Sequence, residues 1–306
     1  MRKIAAIDLG TNSIRLMLCE VVGGKFKKKS KEVITTRIGK DMSPSGLLTE
    51  KAMEKNIEAI KYFKNKAEYF NAEKIIIIAT SALRDAGNKE EFLEKVKNEV
   101  GLDIKILNGE EEAEIGIIGA SYGFDDTDNF LVIDVGGGST ELVLGIGDRI
   151  VYSTSINAGA VRMTEKFIKE NPMHQSDINA LEESLDMLFK DSLYYLKDKK
   201  ICKIVAIGGT ATTAASIFHQ MKVYDWEKIH NTILTKMFLD KLFENLKSMS
   251  VKERYNIKGL QKERADIIPT GIFITKYIMG KLNAENIMVS ENDNLEGAII
   301  KYGKVF

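Results

Sequence analysis

The chain has 306 residues, with 44 Lys+Arg against 44 Asp+Glu, 44% hydrophobic and 29% charged residues. That length supports two substantial cores. The charge balance gives no pull toward nucleic acid or a membrane surface, so a polyanionic ligand would have to be met by locally gathered cations.

No apolar run approaches the ~18 residues of a membrane span, and the chain starts on a strand pattern rather than a basic-then-apolar leader. Cys19 and Cys202 lie far apart in apolar, strand-like runs and read as buried, reduced thiols. These features predict a cytoplasmic protein that binds neither nucleic acid nor membrane. His174, His219 and His230 are scattered, without zinc-like spacing, so any metal should be a hard cation on oxygen ligands.

In chain order, the first ~32 residues predict a three-strand meander with Gly23-Gly24 as its second turn. Lys25, Lys27, Lys28, Lys29 and Lys31 read as a solvated edge strand, with a substrate-steering patch as the alternative. Met53, Ile57, Ile60, Phe63, Ala67 and Phe70 recur at helical spacing, predicting a helix over ~49–70 with Thr49 as N-cap. Ile75–Ala79 is an apolar run expected as a buried strand. A helix at ~89–100, a strand at ~103–107 and a helix at ~110–122 follow. The Asp-rich stretch from Gly123 to Asn129 reads as a domain boundary.

The pattern then restarts, with strands at ~129–135, ~139–146 and ~149–156 and helices at ~160–170 and ~177–198. A strand at ~202–207 runs into Gly208-Gly209-Thr210, with a helix at ~211–219. The region ~236–283 reads as mostly helical, broken or kinked at Pro269. A strand at Ile287–Val289 and a helix over ~293–304 close the pattern. Two αβ halves, each opened by a meander, predict a duplicated α/β fold. The first domain is expected over 1–122 plus 292–306, and the second over 123–291.

One loop is written twice. Asp8-Leu-Gly-Thr-Asn-Ser13 and Asp134-Val-Gly-Gly-Gly-Ser139 both follow a short apolar run and lead into another. Each reads as strand, glycine turn, strand, which aims backbone N–H groups and a serine hydroxyl at one spot beside a carboxylate. Phosphate oxygens need such donors, and a divalent cation needs such a carboxylate. In the second copy Gly136, Gly137 and Gly138 are entropically costly for a plain turn, and Asp134 and Glu141 stand at its two stems as candidate metal ligands. Gly208, Gly209 and Thr210 open a helix whose N-terminus offers further donors. Gly109-Glu-Glu-Glu-Ala113 opens another helix. Acidic residues there ordinarily complement the dipole, the reading kept for Glu110, while one of the three could serve as a general base. Arg84 follows the buried strand at its C-terminal end, where open α/β sheets bind ligands. Arg162 and Arg264 are further candidates for bidentate contact with phosphate, although Glu263 and Asp266 offer Arg264 plain ion pairs.

At these residues the chain resembles the exopolyphosphatase/guanosine-pentaphosphate phosphatase family of the actin-like (ribonuclease H-like) ATPase superfamily, in its short two-domain form. The matches run in order through Asp8–Ser13, Ala79-Thr-Ser-Ala-Leu-Arg84, Gly109–Ala113, Asp134–Glu141, Gly159-Ala-Val-Arg162, Gly208–Thr210 and Glu263-Arg-Ala-Asp266. The resemblance implies duplicated actin-like domains with an interdomain cleft, and Mg²⁺-dependent hydrolysis (with Mn²⁺ as the alternative metal) of a terminal phosphoanhydride in polyphosphate or guanosine pentaphosphate. It implies Glu112 as catalytic base, and Asp134, Glu141 and Glu112 around the metal. Asn12, Ser13, Arg84, Gly136, Gly137, Gly138, Ser139, Gly208, Gly209 and Thr210 map to phosphate contacts, and Arg162 and Arg264 match family arginines. Homodimerisation is a further expectation. A non-catalytic alarmone or polyphosphate sensor is the alternative function, followed by a small-molecule kinase of the same superfamily. Two departures stand out: Leu295 occupies the place of an arginine in Ser290-Glu-Asn-Asp-Asn-Leu-Glu-Gly297, and Asn231 follows His230 where glycine is common.

Overall fold

The computed structural model describes residues 1–39, 46–123, 129–146 and 149–304. The centre of the expected domain-boundary stretch, 124–128, lies outside the described residues, as does the Lys28 side chain. The chain divides into two compact units, Met1–Gly119 with Asn294–Phe306, and Ala120–Asp293.

In the first unit, β1 (Arg2–Leu9), β2 (Ile14–Val22) and β3 (Lys25–Ile34) form the meander. Gly23 and Gly24 make its second turn at φ +55° and +70°, a left-handed backbone that glycine adopts without steric cost. Then come α1 (Glu50–Tyr69), β4 (Lys74–Ala79), α2 (Ser81–Asp85), α3 (Lys89–Val100), β5 (Lys105–Ile106) and α4 (Gly109–Ala120). Thr49 caps α1, its side chain accepting from the Ala52 N–H at 3.2 Å. The strand order is β3-β2-β1-β4-β5, with β4 parallel to both β1 and β5.

Residues alternate across the two faces of such a sheet. Ala5, Ile7 and Leu9 of β1 pack in one apolar cluster with Met53, Ile57, Ile60 and Phe63 of α1. Ile4 and Ala6 lie in another with Ile115, Leu295, Ala298 and Ile299. The sheet is therefore buried on both sides, as the continuous apolar runs require.

The second unit repeats the plan. It holds β6 (Asn129–Val135), β7 (Thr140–Ile146), β8 (Arg149–Ile156), α5 (Ala160–Phe167), α6 (Gln175–Lys197), β9 (Lys203–Ile207), α7 (Gly208–Phe218), α8 (Trp226–Ile229), β10 (Thr232–Thr235), α9 (Lys236–Lys247), α10 (Val251–Arg254), α11 (Ile268–Lys281) and β11 (Asn286–Val289). Last in the chain, α12 (Asn294–Gly303) belongs to the first unit. The order β10-β11-β9-β6-β7-β8 reproduces the first sheet strand for strand and adds β10 at one edge, antiparallel to β11.

Some expectations need correction. The seventh helix begins at Gly208 rather than ~211, so the Gly-Gly-Thr sequence is its first turn rather than a preceding loop. The break expected at Pro269 is a helix start: the proline sits in the first turn of α11, where its missing N–H costs no hydrogen bond. Cys19 is buried, whereas Cys202 is exposed, just before β9 enters the sheet. The short elements α2, α8 and β10 carry too few residues to show a period.

Candidate functional site

The two Asp-x-Gly-x-x-Ser turns close identically. The Gly10 N–H donates to the Ser13 carbonyl at 3.0 Å, and the Gly136 N–H to the Ser139 carbonyl at 3.0 Å. Their outer carbonyls are then taken up by the chain after the third strand. In the first turn, the Gly39 N–H donates to Thr11 at 3.0 Å and the Arg37 N–H to Asn12 at 2.9 Å.

In the second turn, Ala160 N–H donates to Gly136 at 2.8 Å and Val161 N–H to Gly137 at 2.8 Å, both from the start of α5. Arg162 Nε donates to the Gly138 carbonyl at 2.8 Å. A trans peptide holds its C=O and N–H on opposite sides. With the carbonyls of Gly136, Gly137 and Gly138 turned toward α5, the N–H groups of Gly137, Gly138 and Ser139 point the other way, as a row of donors suited to an anion. This is why Gly159 must lack a side chain: a Cβ there would stand 2.4 Å from the Gly137 carbonyl carbon. Arg162 thus supports the loop from behind.

The turns differ at their stems. Asp8 pairs in register with Arg15, and Asp134 with Glu141. Residues directly opposite in an antiparallel pair share a face. The Arg15 guanidinium forms an ion pair with Asp8, Nε lying 3.1 Å from Oδ2. In the second hairpin two carboxylates share that face, both buried, at 9% and 3% relative exposure. Ser155 Oγ donates to Glu141 Oε1 at 2.6 Å. Like charges so placed repel, and a hard divalent cation offsets that repulsion.

Against the same hairpin comes α7. Gly208 is left-handed at φ +78°, and a Cβ on it would meet Asp134 Oδ1 at 2.3 Å. A Cβ on Gly209 would meet Arg264 Nη2 at 2.2 Å, so the guanidinium rests on the glycine backbone at the helix N-terminus. Thr210 is buried and its hydroxyl donates to the Val135 carbonyl at 2.8 Å. That proton is spent inside the fold. Asp134, Glu141, the Gly136–Ser139 turn, Gly208, Gly209 and Arg264 thus gather within the second unit.

In the first unit the three glutamates of α4 separate by environment. Glu110 is exposed. Glu111 takes a cap-like role, accepting from the Asn108 N–H at 3.1 Å and from Lys105 Nζ at 2.7 Å, and its carboxyl is held below the usual range chiefly by that lysine. Glu112 is buried at 6%, and Arg84 Nη1 donates both to its Oε2 at 2.8 Å and to the Leu107 carbonyl at 3.1 Å. Asn12 and Ser13 are buried in the first turn, where Thr11 Oγ1 lies 2.9 Å from Ser81 Oγ at the start of α2.

Among the described residues, no three His, Cys, Asp or Glu side chains form a ready-made metal cluster. The donor set is a carboxylate pair, which suits Mg²⁺, a cation that keeps several waters and takes one or two carboxylates. Sequence reasoning missed Arg15 and Ser155, although the seven-residue spacing from Asp8 to Arg15 repeats that from Asp134 to Glu141.

Residues 17–304 match the model of the Ppx/GppA phosphatase family, and the chain belongs to that family. It is 38% identical over 309 aligned residues to the bifunctional 3-dehydroquinate synthase/phosphatase of Fusobacterium nucleatum, covering 97% of this chain and 46% of that one, so it spans about half of that relative's length. Exopolyphosphatase 2 of Mycobacterium tuberculosis is 28% identical, over 97% of both chains. Among solved structures, the Aquifex aeolicus PPX-GPPA enzyme superposes with a TM-score of 0.83 at 30% identity, covering 98% of this chain and 99% of that one. The duplicated sheets are accordingly those of the actin-like fold.

Proposed function

We propose that the chain hydrolyses a terminal phosphoanhydride, releasing orthophosphate from the end of inorganic polyphosphate or from guanosine pentaphosphate. The observation that carries this reading is the buried pair Asp134 and Glu141 beside a glycine turn whose N–H groups face away from α5. The turn donors and Arg264 on Gly209 hold phosphate oxygens. Mg²⁺ would be held by Asp134 and Glu141, and when bound it neutralises charge on the phosphate oxygens. Glu112 orients water and accepts its proton, and Arg84 fixes that carboxylate in one direction. Phosphoryl transfer asks mainly for positioning and charge neutralisation, which these groups supply.

Both substrates end in the same anhydride, so one experiment compares them: orthophosphate release from polyphosphates of several lengths and from guanosine pentaphosphate, with and without Mg²⁺. The reading predicts release from at least one, cut by about 10²- to 10⁴-fold in Glu112→Gln, the range a general base supplies. Tight binding of either compound without release would establish a sensor instead.

A further inference from the structure

Glu296 on α12 is fully enclosed. Both of its oxygens are met from β3: Lys29 Nζ stands 3.1 Å from Oε1 and Lys31 Nζ 3.0 Å from Oε2. Two lysines of the run read as a solvated edge are therefore turned inward. Burying a carboxylate is unfavourable unless cations are placed to repay it. The same helix already seats Leu295, Ala298 and Ile299 in the apolar cluster under the sheet. Apolar contact is non-directional, so it leaves a helix free to rotate and slide by small amounts. A carboxylate held at both oxygens does not.

The next residue shows where that constraint is felt. A Cβ on Gly297 would stand 1.9 Å from the Ile115 carbonyl oxygen, so the backbone of α12 bears directly on α4. Ile115 lies one turn beyond Glu112, and Lys301 of α12 pairs with Glu114 on the same stretch of α4. Glu112 itself is held by Arg84.

We propose that Lys29, Lys31, Glu296 and Gly297 are positioning residues that set α4, and through it the Glu112 carboxylate. The inference rests on the reading of Glu112 as the base and deepens it. It also accounts for Leu295 where an arginine was expected: the apolar side chain closes the core, and the neighbouring glutamate takes its cations from β3.

The test uses the whole chain labelled with ¹³C at glutamate carboxyl groups, with the Glu112 resonance assigned through Glu112→Gln. Gly297→Ala and Glu296→Gln should each move the Glu112 resonance while that of Glu50, exposed at the far helix α1, stays in place. In the same variants kcat per folded molecule should fall about tenfold or more with KM near wild type, since small misplacements of a reacting group cost that much. A triple variant, Lys29→Met with Lys31→Met and Glu296→Gln, leaves no buried charge alone. It should recover melting temperature relative to Glu296→Gln without recovering kcat. An unmoved Glu112 resonance in both single variants, or kcat returning with stability in the triple one, would overturn the proposal. If wild type releases no phosphate, the hydrolase reading fails by itself, and the resonance alone then decides the positioning.

Discussion

The two glycine turns share their closing hydrogen bond and differ in charge at one stem position. Opposite Asp8 stands Arg15, and opposite Asp134 stands Glu141. In the first hairpin the aspartate is answered within the protein by a guanidinium. In the second it faces another buried carboxylate, and the proposed function places a cation against that pair. The duplicated hairpins therefore carry different charges at the same stem position. The hairpin with two facing carboxylates is the one the proposed function assigns to metal and phosphate.

The largest effect should come from erasing that difference. Glu141→Arg writes the first hairpin's ion pair into the second, and should reduce phosphate release about 10³-fold and remove its dependence on Mg²⁺. A variant that keeps Mg²⁺-dependent turnover would break the comparison. The reciprocal change, Arg15→Glu, creates an unanswered carboxylate pair in the first hairpin. Breaking a largely buried ion pair in this way should lower stability by ~3 kcal/mol, read as the shift in a urea unfolding midpoint.

A smaller loss is expected from Gly209→Ala, whose Cβ would occupy the space of the Arg264 guanidinium. One displaced charge-assisted contact should raise KM about tenfold while the fold is kept. The smallest effect compares the two cysteines, one in each unit. Burial, then the nearby Glu296 charge, push the Cys19 thiol up to about 12. The reactive thiolate is therefore nearly absent at pH 8, and it becomes populated only as pH rises toward 12. Alkylation of the native protein at pH 8 should modify Cys202 alone, as counted by intact mass.

Much of this architecture could be read from the residues. The apolar runs at Ile4–Ile7, Ile75–Ala79 and Phe130–Ile133 are strands because parallel sheets are buried on both faces. Thr49 announced the start of α1, and the repeated turn motif announced the duplication. Local pattern failed where the deciding partner is distant in sequence. Nothing near Glu296 shows that Lys29 and Lys31 enclose it, and nothing near Gly209 shows that Arg264 rests on it. The three glutamates at Glu110–Glu112 are equivalent as letters. Only the placement of Arg84 and Lys105 makes one a buried, oriented carboxylate and another a surface cap. Pro269 marked a boundary, but a proline in a helical stretch does not show whether it ends one helix or begins the next.

The inequality of the two hairpins can be measured without turnover. Mn²⁺, as a spectroscopic stand-in for Mg²⁺, can be titrated into the whole protein with a short polyphosphate present and followed by electron paramagnetic resonance, comparing wild type, Glu141→Gln and Asp8→Asn. The account predicts a bound ion in wild type, retained in Asp8→Asn and weakened at least tenfold in Glu141→Gln, the cost of one lost charged ligand contact. Binding unchanged in Glu141→Gln, or lost equally in both variants, would contradict it.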